Sequence, residues 1–278
     1  MSATTTTRSD EDKDGLITRL LEVQGPCTTP LDAALEYCRV RADRVLPMYI
    51  LAMTPHAIVT ILLIDAVIAG HRSSVVTYCI WLTGAMVWRW VWLARLQYNV
   101  QHELRDLRNM QFWAKVPAIL YLRLLSNVAI TWGSLLVGVP AFYGLFVGGF
   151  AAPLLLESRT SAATRLKECI SWINFTAKRL FRVSMVMTVI TIIGIIAVFV
   201  SQAALVGTVL PSLLGVDTAD LNITLGSWAW RLRVFYFLFL LIDVYWAVAC
   251  VFLYYDSQSR RMAADLRVRL ANVTEVSA

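Results

Sequence analysis

Residues 117–157 read PAILYLRLLSNVAITWGSLLVGVPAFYGLFVGGFAAPLLLE, a stretch whose only charged residues are Arg123 and the closing Glu157. One membrane span needs about 20 predominantly apolar residues, so this stretch is about twice as long as a single crossing. Gly138-Val139-Pro140 lies near its middle, and this combination favours a break in the helix. The stretch therefore predicts two antiparallel spans.

The rest of the chain contains four more apolar regions, at about 46–70, 74–96, 183–211 and 232–255. Of the 278 residues, 58% are hydrophobic and 16% are charged, against about a quarter charged in ordinary soluble domains. This composition excludes a soluble globule. We predict an all-α, six-span bundle over residues 29–256, preceded by a flexible cytoplasmic N-terminus (1–28) and followed by a cytoplasmic tail (257–278).

The positions of the basic residues predict the orientation of this bundle. With both termini inside, 20 of the 25 Lys and Arg residues fall on the cytoplasmic side, as the positive-inside rule requires. A five-span alternative, in which 117–157 is one tilted helix or a re-entrant loop, would place the basic 157–182 segment outside. The net charge of +6 is thereby explained without a nucleic-acid partner.

Two amphipathic segments precede predicted spans. In the first, residues 31–45, the apolar side chains that share one helical face are Leu31, Ala34, Leu35, Cys38, Ala42 and Val45. The second, residues 163–182, has its own apolar stripe and a set of basic residues: Arg165, Lys167, Lys178, Arg179 and Arg182. Both are predicted to lie on the cytoplasmic membrane surface, and the basic set is predicted to contact anionic lipid.

Aromatic residues near the predicted span ends fit the same register, because Trp and Tyr concentrate at membrane interfaces. This set includes Tyr49, Tyr78, Trp81, Trp92, Trp132, Trp228, Trp230, Tyr254 and Tyr255.

Four ionisable residues inside the predicted spans form the candidate site: Asp243, Arg89, Arg123 and His56. Charges within a bilayer are costly, so they require partners. Asp243 and Arg89 differ by about 7 Å in depth, which an Arg side chain can bridge. One interpretation is a cluster that binds an anionic head group or relays protons. The other is an ion pair that only holds the bundle together.

Other chemistry has little support in the sequence. The three His residues lie in separate segments, the five Cys residues show no metal-ligand spacing, and no nucleotide-binding glycine motif is present. We therefore expect no catalytic residues, no metal and no cofactor, and we favour a non-enzymatic protein.

The fourth predicted span contains a small-residue motif, Gly144-x-x-x-Gly148, with Gly149 beside it. Such a motif allows another helix to approach closely. That helix belongs either to the same chain or to a second copy in a homodimer.

Several short motifs resemble a bacterial family of polytopic membrane proteins. These are Pro153 to Glu157, Ala163 to Leu166, Ser171-Trp172, and Leu253-Tyr254-Tyr255-Asp256 with Arg260 and Arg261. The family is similar to the membrane domain attached to some glycerophosphodiester phosphodiesterases. The chain is too short to contain the catalytic barrel beside six spans, so the resemblance implies a membrane domain without phosphodiesterase activity.

Together these features favour a non-enzymatic integral membrane protein, a scaffold or assembly partner that binds anionic lipid and other proteins. The alternative is a transporter, channel or lipid-handling protein that uses the intramembrane charges. The predicted location is the bacterial inner membrane, with both termini cytoplasmic.

The topology makes a direct prediction, since the loops near Arg72, Gly138 and Asp217 should lie outside the cytoplasm. A reporter that is active only in the cytoplasm should give signal when fused after Ala278. Signal from a fusion at Asp220 would contradict the six-span topology.

Overall fold

The computed structural model describes residues 29–104, 112–136, 139–157, 162–204, 236 and 242–262. Nearly all of these residues are helical, and no strand occurs among them. The predicted flexible N-terminus (1–28), the outer loop before the last span and most of the predicted tail lie outside the described residues. The all-α prediction is confirmed.

Seven helices carry the described residues. They are α1 (Thr29–Val40), α2 (Ala42–Ile68), α3 (Arg72–Leu104), α4 (Phe112–Leu136), α5 (Val139–Leu156), α6 (Ala162–Ala204) and α7 (242–262).

Three stretches are long and apolar enough to cross a membrane: Ala42–Ile68, Phe112–Trp132 and Ala163–Ala197. In each, the share of the apolar window that is buried within the chain is 33% or less. Large apolar side chains left exposed in such numbers are typical of a lipid-facing surface. The structure is therefore compatible with an integral membrane protein.

The helix α3 covers the second predicted span but is not among these three candidates. It is 33 residues long, and Arg89, Arg95, Gln97 and Gln101 interrupt its apolar character. Several of these polar side chains bind groups on neighbouring helices.

The described part of residues 117–157 forms two antiparallel helices, α4 and α5. Only α4 contains a candidate span, Phe112–Trp132, whereas Pro140–Leu156 is a shorter apolar helix. Ser126 of α4 lies against Gly148 of α5, whereas Ile130 further along α4 lies against Gly144. The Ser126 hydroxyl also donates to the Gly144 carbonyl. A Cβ added at Gly148 would collide with the Ser126 side chain. The glycine motif therefore serves close packing within the chain.

The chain divides into two compact units. The described part of unit 1 contains α1, the end of α3 from Ala94, α4, α5, α6 up to Val183, and α7 from Trp246. Unit 2 contains α2, α3 up to Leu93, α6 from Ser184, and the start of α7 with Tyr236.

Helix α1 packs on unit 1 through a face that differs from the predicted one. Its buried side chains are Leu31, Ala33, Ala34 and Tyr37, whereas Leu35 is 61% exposed. The difference arises because the Tyr37 hydroxyl donates to Glu103 of α3 at 3.0 Å. Arg41, just after α1, also contacts Glu103 at 3.2 Å. These polar bonds rotate the helix away from the purely apolar stripe.

The second predicted surface helix, residues 163–182, is not a separate element. It forms the first half of α6, a single helix of 43 residues. At 1.5 Å per residue, α6 is about 64 Å long, about twice the thickness of a hydrocarbon core.

Four prolines lie inside the described helices, Pro47, Pro55, Pro117 and Pro153, and α3 binds the backbone carbonyls that two of them free. A proline has no N–H, so the carbonyl four residues earlier loses its helical partner. Pro153 frees the carbonyl of Gly149, which accepts a bond from Gln97 Nε2 at 3.0 Å. Pro55 likewise frees the carbonyl of Leu51, which accepts a bond from Trp88 Nε1 at 2.8 Å. Each donor side chain replaces a missing backbone N–H.

A third carbonyl is satisfied in the same way. Because α5 ends at Leu156, the carbonyl of Pro153 is among the last four of the helix, which have no intrahelical donor. Gln101, one turn after Gln97 on α3, donates to it at 3.1 Å. Gln101 also contacts the hydroxyl of Tyr255 at 3.2 Å.

Candidate intramembrane charge cluster

The structure brings together Arg89 of α3 and Asp243 of α7, as their matching depths predict. Within unit 2, two guanidinium nitrogens of Arg89 approach Asp243 Oδ2, Nη2 at 2.7 Å and Nε at 3.2 Å. The exposed fractions of the side chains are 10% for Arg89 and 19% for Asp243. This double contact neutralises both charges in a region from which water is largely excluded.

His56 belongs to a polar group in the same unit. Its Nδ1 is hydrogen-bonded to the hydroxyl of Tyr236, and the two rings are stacked with centroids 5.7 Å apart. Thr60, one turn after His56 on α2, donates to the same hydroxyl at 3.3 Å. Both charges of the Arg89–Asp243 pair lie within electrostatic range of His56.

Tyr236 is a site residue that sequence reasoning missed. It stands in the run Val234-Phe235-Tyr236-Phe237-Leu238, where its hydroxyl is the only side-chain polar group. An aromatic residue near the start of a predicted span is explained equally well by interface anchoring. The sequence offered one signal for its role: His56, a buried polar residue, needs a polar partner on another helix.

Arg123, the fourth predicted member, lies in unit 1. Its Nη2 donates to Gln97 Oε1 at 2.9 Å. Gln97 in turn donates to the carbonyls of Gly149 and Ala247, so one amide joins α3 to α4, α5 and α7. The predicted four-residue cluster is thus divided, with His56, Arg89 and Asp243 in unit 2.

The basic residues predicted to contact lipid differ in availability. Arg165 pairs with Glu168 at 2.5 Å, and Arg179 pairs with Asp256 at 2.7 Å. Lys167, Lys178 and Arg182 are exposed. Three of the five predicted cations therefore remain available to an external anion.

The aromatic residues Tyr254 and Tyr255 were predicted to anchor the membrane interface, and this prediction is wrong. Tyr254 is 1% exposed and Tyr255 is 5% exposed. The hydroxyl of Tyr254 donates to Glu157 at 2.5 Å, and its ring lies 5.3 Å from that of Trp172. The hydroxyls of both tyrosines have polar partners in the interior, Glu157 just after α5 for Tyr254 and Gln101 of α3 for Tyr255.

Comparisons with known proteins return no relative: no protein-family model, curated protein or solved structure matches the chain. Across the described ranges, no group of three or more His, Cys, Asp or Glu side chains is placed to hold a metal ion.

The pair makes a stability prediction. Asp243→Asn or Arg89→Gln should each lower the free energy of unfolding by about 3 kcal/mol, because each leaves one charge buried without its counter-charge. The double variant Arg89→Leu/Asp243→Leu should lower the free energy of unfolding by less than either single variant does. Thermal unfolding of the purified chain in detergent measures both effects.

Lys167→Gln is the control, because it removes a charge from an exposed position. If the single variants at Arg89 and Asp243 unfold at the same temperature as the wild type, the pair does not stabilise the fold.

Proposed function

We propose that the chain is a six-span integral membrane protein that acts as a non-enzymatic scaffold or assembly partner. Both termini lie in the cytoplasm, and the membrane is the bacterial inner membrane. Its basic surface binds anionic lipid, and its cytoplasmic helices contact other proteins. The observation that carries this proposal is that, among the described residues, three ion pairs join charged side chains that are largely buried within the chain.

Three ion pairs illustrate this pairing: Arg89–Asp243, Arg179–Asp256 and Arg41–Glu103. Their side chains are all at most 19% exposed. A transported ion or a bound anion needs a charge that can exchange partners. Charges that already contact each other at 2.7 to 3.2 Å favour a structural role.

Membrane crossing is supported by the surface of α4. Trp113 and Trp132 are each 64% exposed and stand 19 residues apart. This separation corresponds to about 28 Å along a helix, close to the thickness of a hydrocarbon core. Exposed tryptophans at this spacing suit the two membrane interfaces.

The resemblance to the bacterial membrane family is part of the proposal. Motif residues that are far apart in the sequence are in contact in unit 1: Tyr254 with Glu157, Tyr254 with Trp172, and Arg261 with Ser171. The motif residues therefore pack against one another as parts of one structural unit. A membrane domain that accompanies an enzyme in that family is consistent with an accessory role here.

A second candidate function is proton or ion transfer through unit 2. It is favoured by one observation, the hydrogen-bonded group of His56, Thr60 and Tyr236 within electrostatic range of the Arg89–Asp243 pair. Hydroxyl and imidazole groups in series can pass protons.

Flux measurements separate the two candidates. The full chain, reconstituted into liposomes that contain a pH-sensitive dye, should conduct protons no faster than protein-free liposomes under an imposed potential. In this account Asp243→Asn lowers only the yield of folded protein. Wild-type proton flux that Asp243→Asn abolishes at equal protein content would overturn the scaffold proposal and establish the second candidate.

A further inference from the structure

One face of α6 changes from cationic to apolar within a single turn. Lys178 and Arg182 are exposed, and the same face continues, at alternating spacings of three and four residues, through exposed apolar side chains. These are Met185, Val189, Ile192 and Ile196, with exposed fractions of 52%, 50%, 50% and 56%. A face of this kind fits a helix that passes from headgroups into hydrocarbon.

The distances along the helix fit that transition. Arg182 precedes Met185 by three residues, about 4.5 Å, and Lys178 precedes it by seven residues, about 10 Å. The headgroup region extends about 5 to 8 Å on each side of the hydrocarbon core, and Lys and Arg side chains are long enough to reach into it. Both cations therefore reach headgroup depth.

The other basic residues of this part of α6 do not share that position. Arg165 and Arg179 are paired with Glu168 and Asp256. Lys167 is exposed, but it precedes Met185 by 18 residues, about 27 Å along the helix. Lys167 consequently serves as a matched exposed cation beyond headgroup depth.

We propose that Lys178 and Arg182 form a clamp for the phosphate of an anionic phospholipid, a proposal that rests on the membrane crossing proposed above. The two residues are one helical turn apart, with Cβ atoms about 5 to 6 Å from each other. The Arg fork binds two phosphate oxygens, while the Lys ammonium adds a point charge.

One aromatic side chain lies beside the clamp at a suitable depth. Phe181 is 55% exposed and precedes Met185 by four residues, about 6 Å along the helix. It provides apolar contact for the glycerol and upper acyl region of the lipid. A phospholipid is therefore preferred over free phosphate, because acyl chains of the same molecule cover the apolar face from Met185 onward.

The test is a lipid titration of the purified full chain in detergent, with bound lipid counted by native mass spectrometry. The probes are phosphatidylglycerol and phosphatidylcholine with the same acyl chains. Lys178→Gln and Arg182→Gln should each weaken phosphatidylglycerol binding about fivefold, the factor expected for one cation near the surface. Lys167→Gln should leave it unchanged, and all variants should bind phosphatidylcholine alike.

The charge-preserving variant Lys178→Arg should retain most of the affinity, which distinguishes lost charge from lost folding. Arg182→Lys should bind between the wild type and Arg182→Gln, because lysine keeps the charge but lacks the fork. Glycerol 3-phosphate at millimolar concentration should not compete, because it lacks acyl chains. Competition by glycerol 3-phosphate would overturn the choice of a lipid.

Equal weakening by Lys167→Gln would also overturn the clamp, since it would indicate diffuse attraction along the whole helix. Unchanged binding in both clamp variants would do the same. These results test the lipid-binding site alone, whereas the flux measurement separates a scaffold from a transporter without reference to lipid charge.

Discussion

A backbone carbonyl without its N–H must find another donor where water is excluded, and this constraint shapes the packing around α3. Pro55 and Pro153 each free a carbonyl in an apolar helix. Trp88 and Gln97 bind these carbonyls from α3. Arg89 on the same helix binds Asp243. The polar residues that make α3 less apolar than the candidate spans are therefore the residues that attach it to its neighbours.

The sequence predicted those features that depend only on how far along the membrane normal a residue lies. Residues 117–157 are too long for one crossing, and Gly138-Val139-Pro140 favours a break near their middle, so two antiparallel helices follow from length and turn residues together. Arg89 and Asp243 were predicted to pair because their depths in the bilayer differ by no more than an Arg side chain can bridge. The availability of the basic residues was predictable only in part, because the partner of Arg179, Asp256, lies 77 residues away.

Features that depend on the rotation of a helix could not be predicted. Leu35 shares an apolar stripe with Leu31, yet the bond between Tyr37 and Glu103 turns it outward. Tyr254 looks like an interface residue, but Glu157 binds its hydroxyl in the interior. Several polar residues lie at a depth that Arg123 could reach. No sequence pattern distinguishes Gln97 among them as its partner. Each outcome depends on one polar bond between helices.

A double-mutant cycle tests whether an α3 side chain replaces the N–H group that Pro153 lacks. Pro153→Ala restores an N–H opposite the Gly149 carbonyl. We expect Gln97→Leu to lower the free energy of unfolding by about 1 kcal/mol less in the Pro153→Ala background than in the wild type. The effects of Gln97→Leu and Pro55→Ala should add, because Trp88 and not Gln97 binds the carbonyl that Pro55 frees. Equal losses from Gln97→Leu in the wild-type and Pro153→Ala backgrounds would show that Gln97 does not replace the missing N–H.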